Sequence, residues 1–96
     1  MTPPRLTNDE IAARLLGSAW TLERAMIVRD LKFADFAAAI AFVDRVAEVA
    51  ETYDHHPDIL VHGWNKVKLS LTNHAAGGLT EIDFDMAARF DALLGA

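Results

Sequence analysis

The stretch ADFAAAIAFVDRVAEVAET, residues 34–52, carries the strongest secondary-structure pattern in the sequence and therefore decides the fold. Apolar side chains recur along it at steps of four and three residues, as one face of an α-helix requires. They are Phe36, Ile40, Val43, Ala47 and Ala50. Because Pro57 disfavours helical backbone at the residue before it, the helix must end ahead of His56. We predict one long helix from Ala34 to Thr52.

The rest of this helix is also largely apolar. The second apolar set is Ala38, Ala41, Phe42, Val46 and Val49. A sheet covers only one side of a helix, so we expect another subunit to cover the second side, at Phe42 and Val46. The expected assembly is a homodimer or homotetramer formed through the long helix. The alternative is that the alanine-rich face is exposed and simply favours helical backbone.

Paired strands are predicted on both sides of the long helix. Before it, Trp20 and Leu22 alternate with polar residues, and residues 25–32 read as a second strand after a turn at residues 23–24. After it, residues 59–64 form a strand that turns near Gly63. The strand that follows is half-buried, with Val67, Leu69 and Leu71 alternating with polar residues.

Shorter helices are predicted at the two ends of the chain. Thr7 and Glu10 have capping-box spacing and begin a helix over residues 8–16, after a short tail of residues 1–6. Thr80 and Asp83 cap a final helix. Its expected apolar side consists of Phe84, Ala87, Ala88 and Leu94. The order α-β-β-α-β-β-α predicts an α+β fold, a four-stranded antiparallel sheet with three helices packed on one face.

Composition limits the possible functions. A chain of 96 residues fits one domain, residues 1–96. The net charge of −5 disfavours nonspecific binding to nucleic acid or to an anionic membrane. No cysteine is present, which excludes disulfides, thiolate zinc sites and cysteine nucleophiles. Charges interrupt the most apolar stretch, and no secretory signal is visible, so a cytoplasmic protein is expected.

The histidines are the residues best suited to chemistry. His55 and His56 follow the long helix, His74 follows the last strand, and Asp83 begins the last helix, so all four could meet at one end of the sheet. Imidazoles can act as general acids and bases near neutral pH. Taken alone, the doublet is better explained as a solvated polar turn. A metal site is a further alternative, although adjacent histidines in extended backbone point to opposite sides. His62 is expected to lie within a strand, outside this group.

The spacing of these residues resembles the signature of the pterin-4a-carbinolamine dehydratases. The matching positions are Glu51, His55, His56, Pro57, Trp64, His74 and Asp83. The segments TYD, DILVHG, NKVKLSLTN and AAGGLTEI separate Glu51, the His-His-Pro run, Trp64, His74 and Asp83 at the family's intervals. The similarity extends from Leu6 to the end of the chain.

The resemblance implies an activity and a site. Family members remove water from 4a-hydroxytetrahydropterin to give quinonoid dihydropterin, which recycles the cofactor of the aromatic amino-acid hydroxylases. By resemblance, His55, His56 and His74 are the acid/base set, with His55 and His74 as the proton-transfer pair. Asp83, Glu51, Trp64 and Pro57 would bind or orient. The reaction needs neither a metal nor an organic cofactor, because the pterin is the substrate.

Two positions depart from the family pattern. Ile59 stands where relatives often have tryptophan, and Ile82 stands where they often have a basic residue. These changes bear on substrate packing more than on reaction type. The rival hypothesis is a non-enzymatic relative that serves in assembly, because the family also includes a transcription-factor dimerisation cofactor and carboxylase assembly factors.

Overall fold

The computed structural model describes residues 2–95. Helices and strands follow one another in the predicted α-β-β-α-β-β-α order. They are α1 (Asn8–Leu15), β1 (Thr21–Glu23), β2 (Met26–Lys32), α2 (Phe36–Tyr53), β3 (Asp58–His62), β4 (Lys66–Leu71) and α3 (Glu81–Ala92). The predicted α+β class is confirmed. Within residues 2–95 no helix is both long enough and apolar enough to cross a membrane.

The four strands form one antiparallel sheet in the spatial order β1-β2-β4-β3. The start of β3 lies beside the end of β4, where Asp58 pairs with Ser70. The start of β2 reaches the same end, because Ile27 pairs with Leu71. The segment before β3 and the segment after β4 therefore leave the sheet at one end. We call this the histidine end, because these segments contain His55, His56 and His74.

Local hydrogen bonds fix where the helices begin and end. At α1 the predicted capping box is present: the Glu10 amide donates to Thr7 Oγ1 at 3.1 Å, and the Thr7 amide donates to Glu10 Oε1 at 2.8 Å. α2 begins at Phe36, two residues later than predicted, because Asp35 has extended backbone and its carboxylate accepts from the Ala38 amide. α2 ends at Tyr53, one residue later than predicted, where Asp54 adopts left-handed backbone.

The hydrophobic core lies between one face of the sheet and the three helices. The sheet contributes fully buried side chains from β2 and β4, namely Ile27, Val67, Leu69 and Leu71. The helices contribute Ile11, Phe42, Val46, Met86 and Phe90. Burial of these side chains is the main favourable term that holds the helices on the sheet.

The prediction for the two faces of α2 was wrong. Phe42 and Val46, expected at a subunit interface, face the core and are 4% and 0% exposed. Phe36, expected on the side that faces the sheet, is 53% exposed, and Ala47, three turns further along the helix, is also exposed. Both faces are apolar in sequence, and periodicity alone does not tell which one meets the sheet.

The buried side of α3 also differs in part from the prediction. Ala87 is buried as expected, but Ala88 is exposed and Leu94 lies beyond the helix. The large core residues of α3 are Met86 and Phe90. The prediction failed because the short apolar pattern of this helix fits several faces.

The expected tail is anchored in its described part. The Leu6 amide donates to the Leu79 carbonyl at 2.8 Å, and the Arg5 guanidinium donates to the Gly77 carbonyl at 3.4 Å. The segment before α1 therefore lies against the loop that leads into α3.

Candidate active site

The link between α2 and β3 positions the histidine doublet. Asp54, at φ 49, closes the helix, and the His55 amide donates to the Ala50 carbonyl at 3.1 Å. Asp and Asn are the non-glycine residues that best tolerate this left-handed backbone. β3 begins at Asp58, one residue after Pro57. His55 and His56 are therefore held in a short connection at the histidine end of the sheet.

His55 points toward α3 and pairs with Asp83. Its Nε2 lies 2.7 Å from Asp83 Oδ1, and the two side chains are 14% and 0% exposed. The other carboxylate oxygen, Oδ2, accepts from the Thr80 amide at 2.8 Å and from Thr80 Oγ1 at 3.3 Å. Asp83 thus caps α3 with one oxygen and holds His55 with the other.

This geometry sets the protonation pattern of the His55 ring. When Asp83 is ionised it only accepts hydrogen bonds, and His55 Nε2 must then carry the hydrogen of this contact. In the neutral ring Nδ1 then keeps its lone pair. The buried carboxylate therefore orients His55 and leaves Nδ1 able to take a proton.

His56 pairs with a different carboxylate. Its Nε2 lies 2.5 Å from Glu51 Oε2, on the last turn of α2, and both side chains are exposed. The adjacent imidazoles thus bind carboxylates on two different helices, which agrees with the expectation that they point apart.

His74 lies on the turn that follows β4. Asn73 and Gly78 form an isolated β-bridge, and the Gly77 amide donates to the His74 carbonyl at 3.1 Å. The His74 side chain is exposed and lines a cavity of about 300 Å³ together with Arg24 and Thr72. Its ring is thus accessible to a ligand at the same end of the sheet as the doublet.

The structure does not bring every predicted site residue to this end. Trp64 occupies the β3–β4 turn at the opposite end of the sheet, with left-handed backbone and 61% exposure. Within one chain it lies apart from the histidines. His62 is exposed at the last position of β3, also away from the doublet, and not in mid-strand as expected. Pro57 is half-buried directly after His56.

The two departures from the family pattern have different surroundings. Ile59, in β3, packs partly buried against the core, where it pairs with Leu69. Ile82 is 36% exposed in the first turn of α3, next to Asp83. Ile82 therefore adds an exposed apolar side chain to the first turn of α3.

Sequence reasoning missed two contributors to this site. Thr80 was predicted only as a helix cap. That its amide and hydroxyl fix the Asp83 carboxylate that binds His55 was not predicted, although the spacing of Thr80 and Asp83 was the available signal. Arg24 lies beside His74 because the β1–β2 turn reaches the end of β4, where Thr72 Oγ1 donates to the Ala25 carbonyl at 2.8 Å. Nothing local in the sequence indicates that contact. Among residues 2–95 no three His, Asp or Glu side chains converge as a metal site would require.

Comparison with known proteins places this geometry in a family. The family model for pterin 4 alpha carbinolamine dehydratase matches residues 4–93. A relative from Chloroflexus aurantiacus is 52% identical over 93 residues, covering 96% of this chain and 99% of the relative. A relative from Acidobacterium capsulatum is 52% identical over 91 residues, covering 94% and 98%. Both carry the name pterin-4-alpha-carbinolamine dehydratase as a provisional assignment.

Solved structures agree. The crystal structure of a transcriptional coactivator/pterin dehydratase from Brucella melitensis superposes with a TM-score of 0.88 at 35% identity, covering 95% of this chain and 99% of the other. A pterin dehydratase-like protein, described as a RuBisCO assembly factor in the alpha-carboxysome, gives a TM-score of 0.64 at 29% identity, covering 80% and 88%. With its fold and nearly its whole length matched, the chain belongs to the pterin-4-alpha-carbinolamine dehydratase family.

Proposed function

We propose that this protein dehydrates 4a-hydroxytetrahydropterin to quinonoid dihydropterin and so recycles the pterin cofactor of aromatic amino-acid hydroxylases. The observation that carries the proposal is the buried Asp83 carboxylate bonded to His55 Nε2, at the same end of the sheet as His56 and His74. A structural helix cap needs no histidine on its second oxygen. The histidine base of a catalytic triad, by contrast, is oriented by such a carboxylate partner.

In the proposed reaction the C4a–oxygen bond breaks while the neighbouring ring nitrogen loses its proton. His55 Nδ1 takes that proton, since Nε2–H is committed to Asp83. His74 protonates the departing hydroxyl, which leaves as water. Proton transfer by positioned groups of this kind contributes roughly 10²–10⁴-fold to rate. The chemistry is carried by imidazoles, so the proposal includes neither metal nor organic cofactor.

His56 has a supporting part in this scheme. Its ring is exposed and pairs with Glu51, and we propose that it binds the pterin or carries a second proton. Pro57 restricts the backbone of His56 and keeps the doublet out of the helix. We propose that the protein works in the cytoplasm as a homo-oligomer.

The test is the decay of 4a-hydroxytetrahydropterin absorbance with and without the protein. The compound also dehydrates without a catalyst, so the uncatalysed rate in the same buffer must be subtracted. We expect a rate that increases linearly with protein concentration. A decay that the protein does not accelerate would refute the proposed activity.

A second candidate function is non-enzymatic assembly. Two observations favour it: the described roles of the two structural neighbours, coactivator and RuBisCO assembly factor, and the exposed apolar side chain of Phe36 on α2. The discriminating experiment is a pull-down with the chain in which His55, His56 and His74 are all alanine. A large stoichiometric partner that this variant retains would support assembly, and loss of activity with no such partner would support the dehydratase.

A further inference from the structure

Two adjoining cavities form a groove beside the candidate active site. The larger has a volume of about 550 Å³ and lies between the segment before α1, the β1–β2 turn and the loop before α3. The smaller, of about 300 Å³, contains His74. They share Arg24, Ala25, Gly77 and Gly78. We call the combined feature the arginine groove, after Arg5 and Arg24 in its lining.

The charge of the arginine groove is opposite to that of the whole chain. The sequence has 14 acidic and 9 basic residues, yet Arg5, Arg24 and His74 line the groove and no Asp or Glu does. Glu23, the acidic neighbour of Arg24, is bonded to Lys68 at 3.2 Å. Among residues 2–95, neither groove arginine forms an ion pair with a carboxylate. Two guanidinium groups are therefore free to bind an anion.

The backbone connects these arginines to His74. Arg5 donates to the Gly77 carbonyl at 3.4 Å, and the Gly77 amide donates to the His74 carbonyl at 3.1 Å. The Arg5 side chain lies across Gly77 and Gly78. A Cβ atom added to Gly78 would come within 3.2 Å of Arg5 Cδ. Arg24 is held from the other side, on a turn with left-handed backbone that Thr72 fixes to the end of β4.

The groove also has an apolar floor. Leu6, Ile11, Leu22 and Leu79 line the larger cavity. Ile11 and Leu79 are buried members of the core, so this floor is part of the folded scaffold. A ligand with an uncharged body and an anionic end would find complementary surface along the groove.

We propose that the arginine groove binds an anionic group, a phosphate ester or a carboxylate, on the side chain of the pterin substrate. The inference rests on the proposed dehydratase function. The ring would lie at the histidines, and the side chain would extend past Gly77 to Arg24 and Arg5. Planar guanidinium groups bind phosphate and carboxylate oxygens in bidentate fashion, so two of them favour an anionic side chain over a neutral one.

The first experiment measures binding without any reaction. Inorganic phosphate is titrated into the ¹⁵N-labelled protein, and the amide shifts of Gly77 and Gly78 are followed by NMR. We expect a saturable shift whose dissociation constant rises at least 10-fold in Arg5→Gln and in Arg24→Gln. Arg24→Lys keeps the charge and should retain more affinity than Arg24→Gln. The matched control is Arg45→Gln, an exposed arginine on α2 outside the groove, which should leave the affinity unchanged.

The second experiment compares substrates. The carbinolamines of a pterin with a phosphate-ester side chain, one with a carboxylate side chain and one with a neutral hydroxylated side chain are dehydrated under equal conditions. We expect kcat/KM to be at least 10-fold higher for an anionic substrate, with the difference residing in KM. Arg24→Gln should lower kcat/KM for the anionic substrates at least 10-fold and so remove that preference. The ranking of the two anionic substrates identifies which anion the groove takes.

The outcomes separate the two proposals. Phosphate binding that depends on both arginines, in a protein that dehydrates no carbinolamine, supports the anion site and refutes the dehydratase. Equal kcat/KM for neutral and anionic substrates refutes the substrate class. The absence of saturable shifts at Gly77 and Gly78, or equal phosphate affinity in all the arginine variants, overturns the anion site.

Discussion

Asp83 is the residue on which structure and proposed chemistry meet. Its side chain is fully buried, and each of its two oxygens has a separate task. Oδ2 accepts from the backbone and the hydroxyl of Thr80, while Oδ1 accepts from His55. Because a carboxylate offers two equivalent acceptors, one residue can begin a helix and set an imidazole at the same time.

Replacement of Asp83 by asparagine tests this dual task. If the amide oxygen keeps the Thr80 N–H, the NH₂ group faces His55 Nε2, which must then accept, and the hydrogen moves to Nδ1. We expect kcat/KM to fall at least about 10-fold because the base has lost its lone pair at Nδ1. Stability should fall by about 1–3 kcal/mol. Kinetics, thermal unfolding and ¹⁵N shifts of the His55 ring measure the three effects.

Thr80→Ala is the companion variant for Asp83→Asn. It removes the hydroxyl contact but leaves the backbone N–H and Asp83 in place, so we expect lower stability with the ring shifts of His55 retained. A normal His55 tautomer and full activity in Asp83→Asn would contradict the assignment of Nδ1 as base.

His74 and the histidine doublet can be tested in separate variants. We expect His74→Ala, and separately the His55→Ala/His56→Ala double variant, to lower the dehydration rate at least about 10-fold through loss of acid/base catalysis. His62→Ala is the matched control, since His62 is exposed at the opposite end of the sheet. Retained activity in both test variants would show that the site lies elsewhere.

At the scale of the elements, the start of α1 depends on one titrating side chain. Two hydrogen bonds with Thr7, the backbone one foremost, hold the pKa of Glu10 below its ordinary value of 4.5. A lowered carboxyl pKa means that the folded state favours the charged form. The stabilisation is therefore present above that ordinary value and is lost as the pH falls through the folded-state pKa.

Glu10→Gln isolates this contribution. Glutamine keeps an acceptor for the Thr7 amide but does not titrate. We expect the wild-type protein to be the more stable at pH 7 and its advantage to shrink as the pH falls below 4.5. Urea unfolding of both proteins across this range measures the difference in free energy. A difference that does not change with pH would show that the Glu10 charge plays no part.

Elements whose signals are local could be predicted from sequence. Both terminal helices begin where their caps indicated, because a cap involves residues three positions apart. The alternation of Val67, Leu69 and Leu71 identified β4 because a strand with one buried face repeats every two residues. The contact between Asp83 and His55 spans 28 positions. The predicted topology brings both residues to one end of the sheet, but no local pattern in the sequence indicates that they form a pair.

Local sequence patterns did not predict which face of α2 is buried. Phe36 and Phe42 are equally apolar, yet one is exposed and the other buried, because the sheet selects the face that fits its own side chains. Tertiary packing determines which face of α2 is buried, and the helical period of the sequence does not indicate it. The arginine groove escaped prediction for the same reason, since Arg5, Arg24 and Gly77 come from three separate segments.

At the scale of the whole molecule, α2 retains an apolar stripe that the rest of the described chain covers only in part. Phe36 and Ala47 are exposed, and Ile40 and Val43 are only partly buried. An amphipathic helix with such a stripe packs well against a second copy of itself. The expected assembly through α2 therefore remains a prediction, now assigned to these four residues in place of Phe42 and Val46.

Ile40→Glu tests the assembly. We expect the wild-type protein to have the mass of two or four chains of 10.5 kDa by light scattering, and Ile40→Glu to dissociate it by burying a charge at the interface. Ala41→Glu is the control, because Ala41 is exposed and belongs to neither the stripe nor the core. A wild-type mass of a single chain would refute assembly through α2.

All three candidate histidines lie on connections between helices and strands, and none lies within one of them. His56 and His74 are exposed, so the scaffold can lose them with little effect on its folding. In a descendant, a few substitutions would therefore remove the proposed catalysis and leave the scaffold, with its apolar helix stripe, intact. Asp83 would outlast the histidines in such a lineage, since α3 still needs its cap. A non-catalytic function can thus evolve in this fold without a change in its structure.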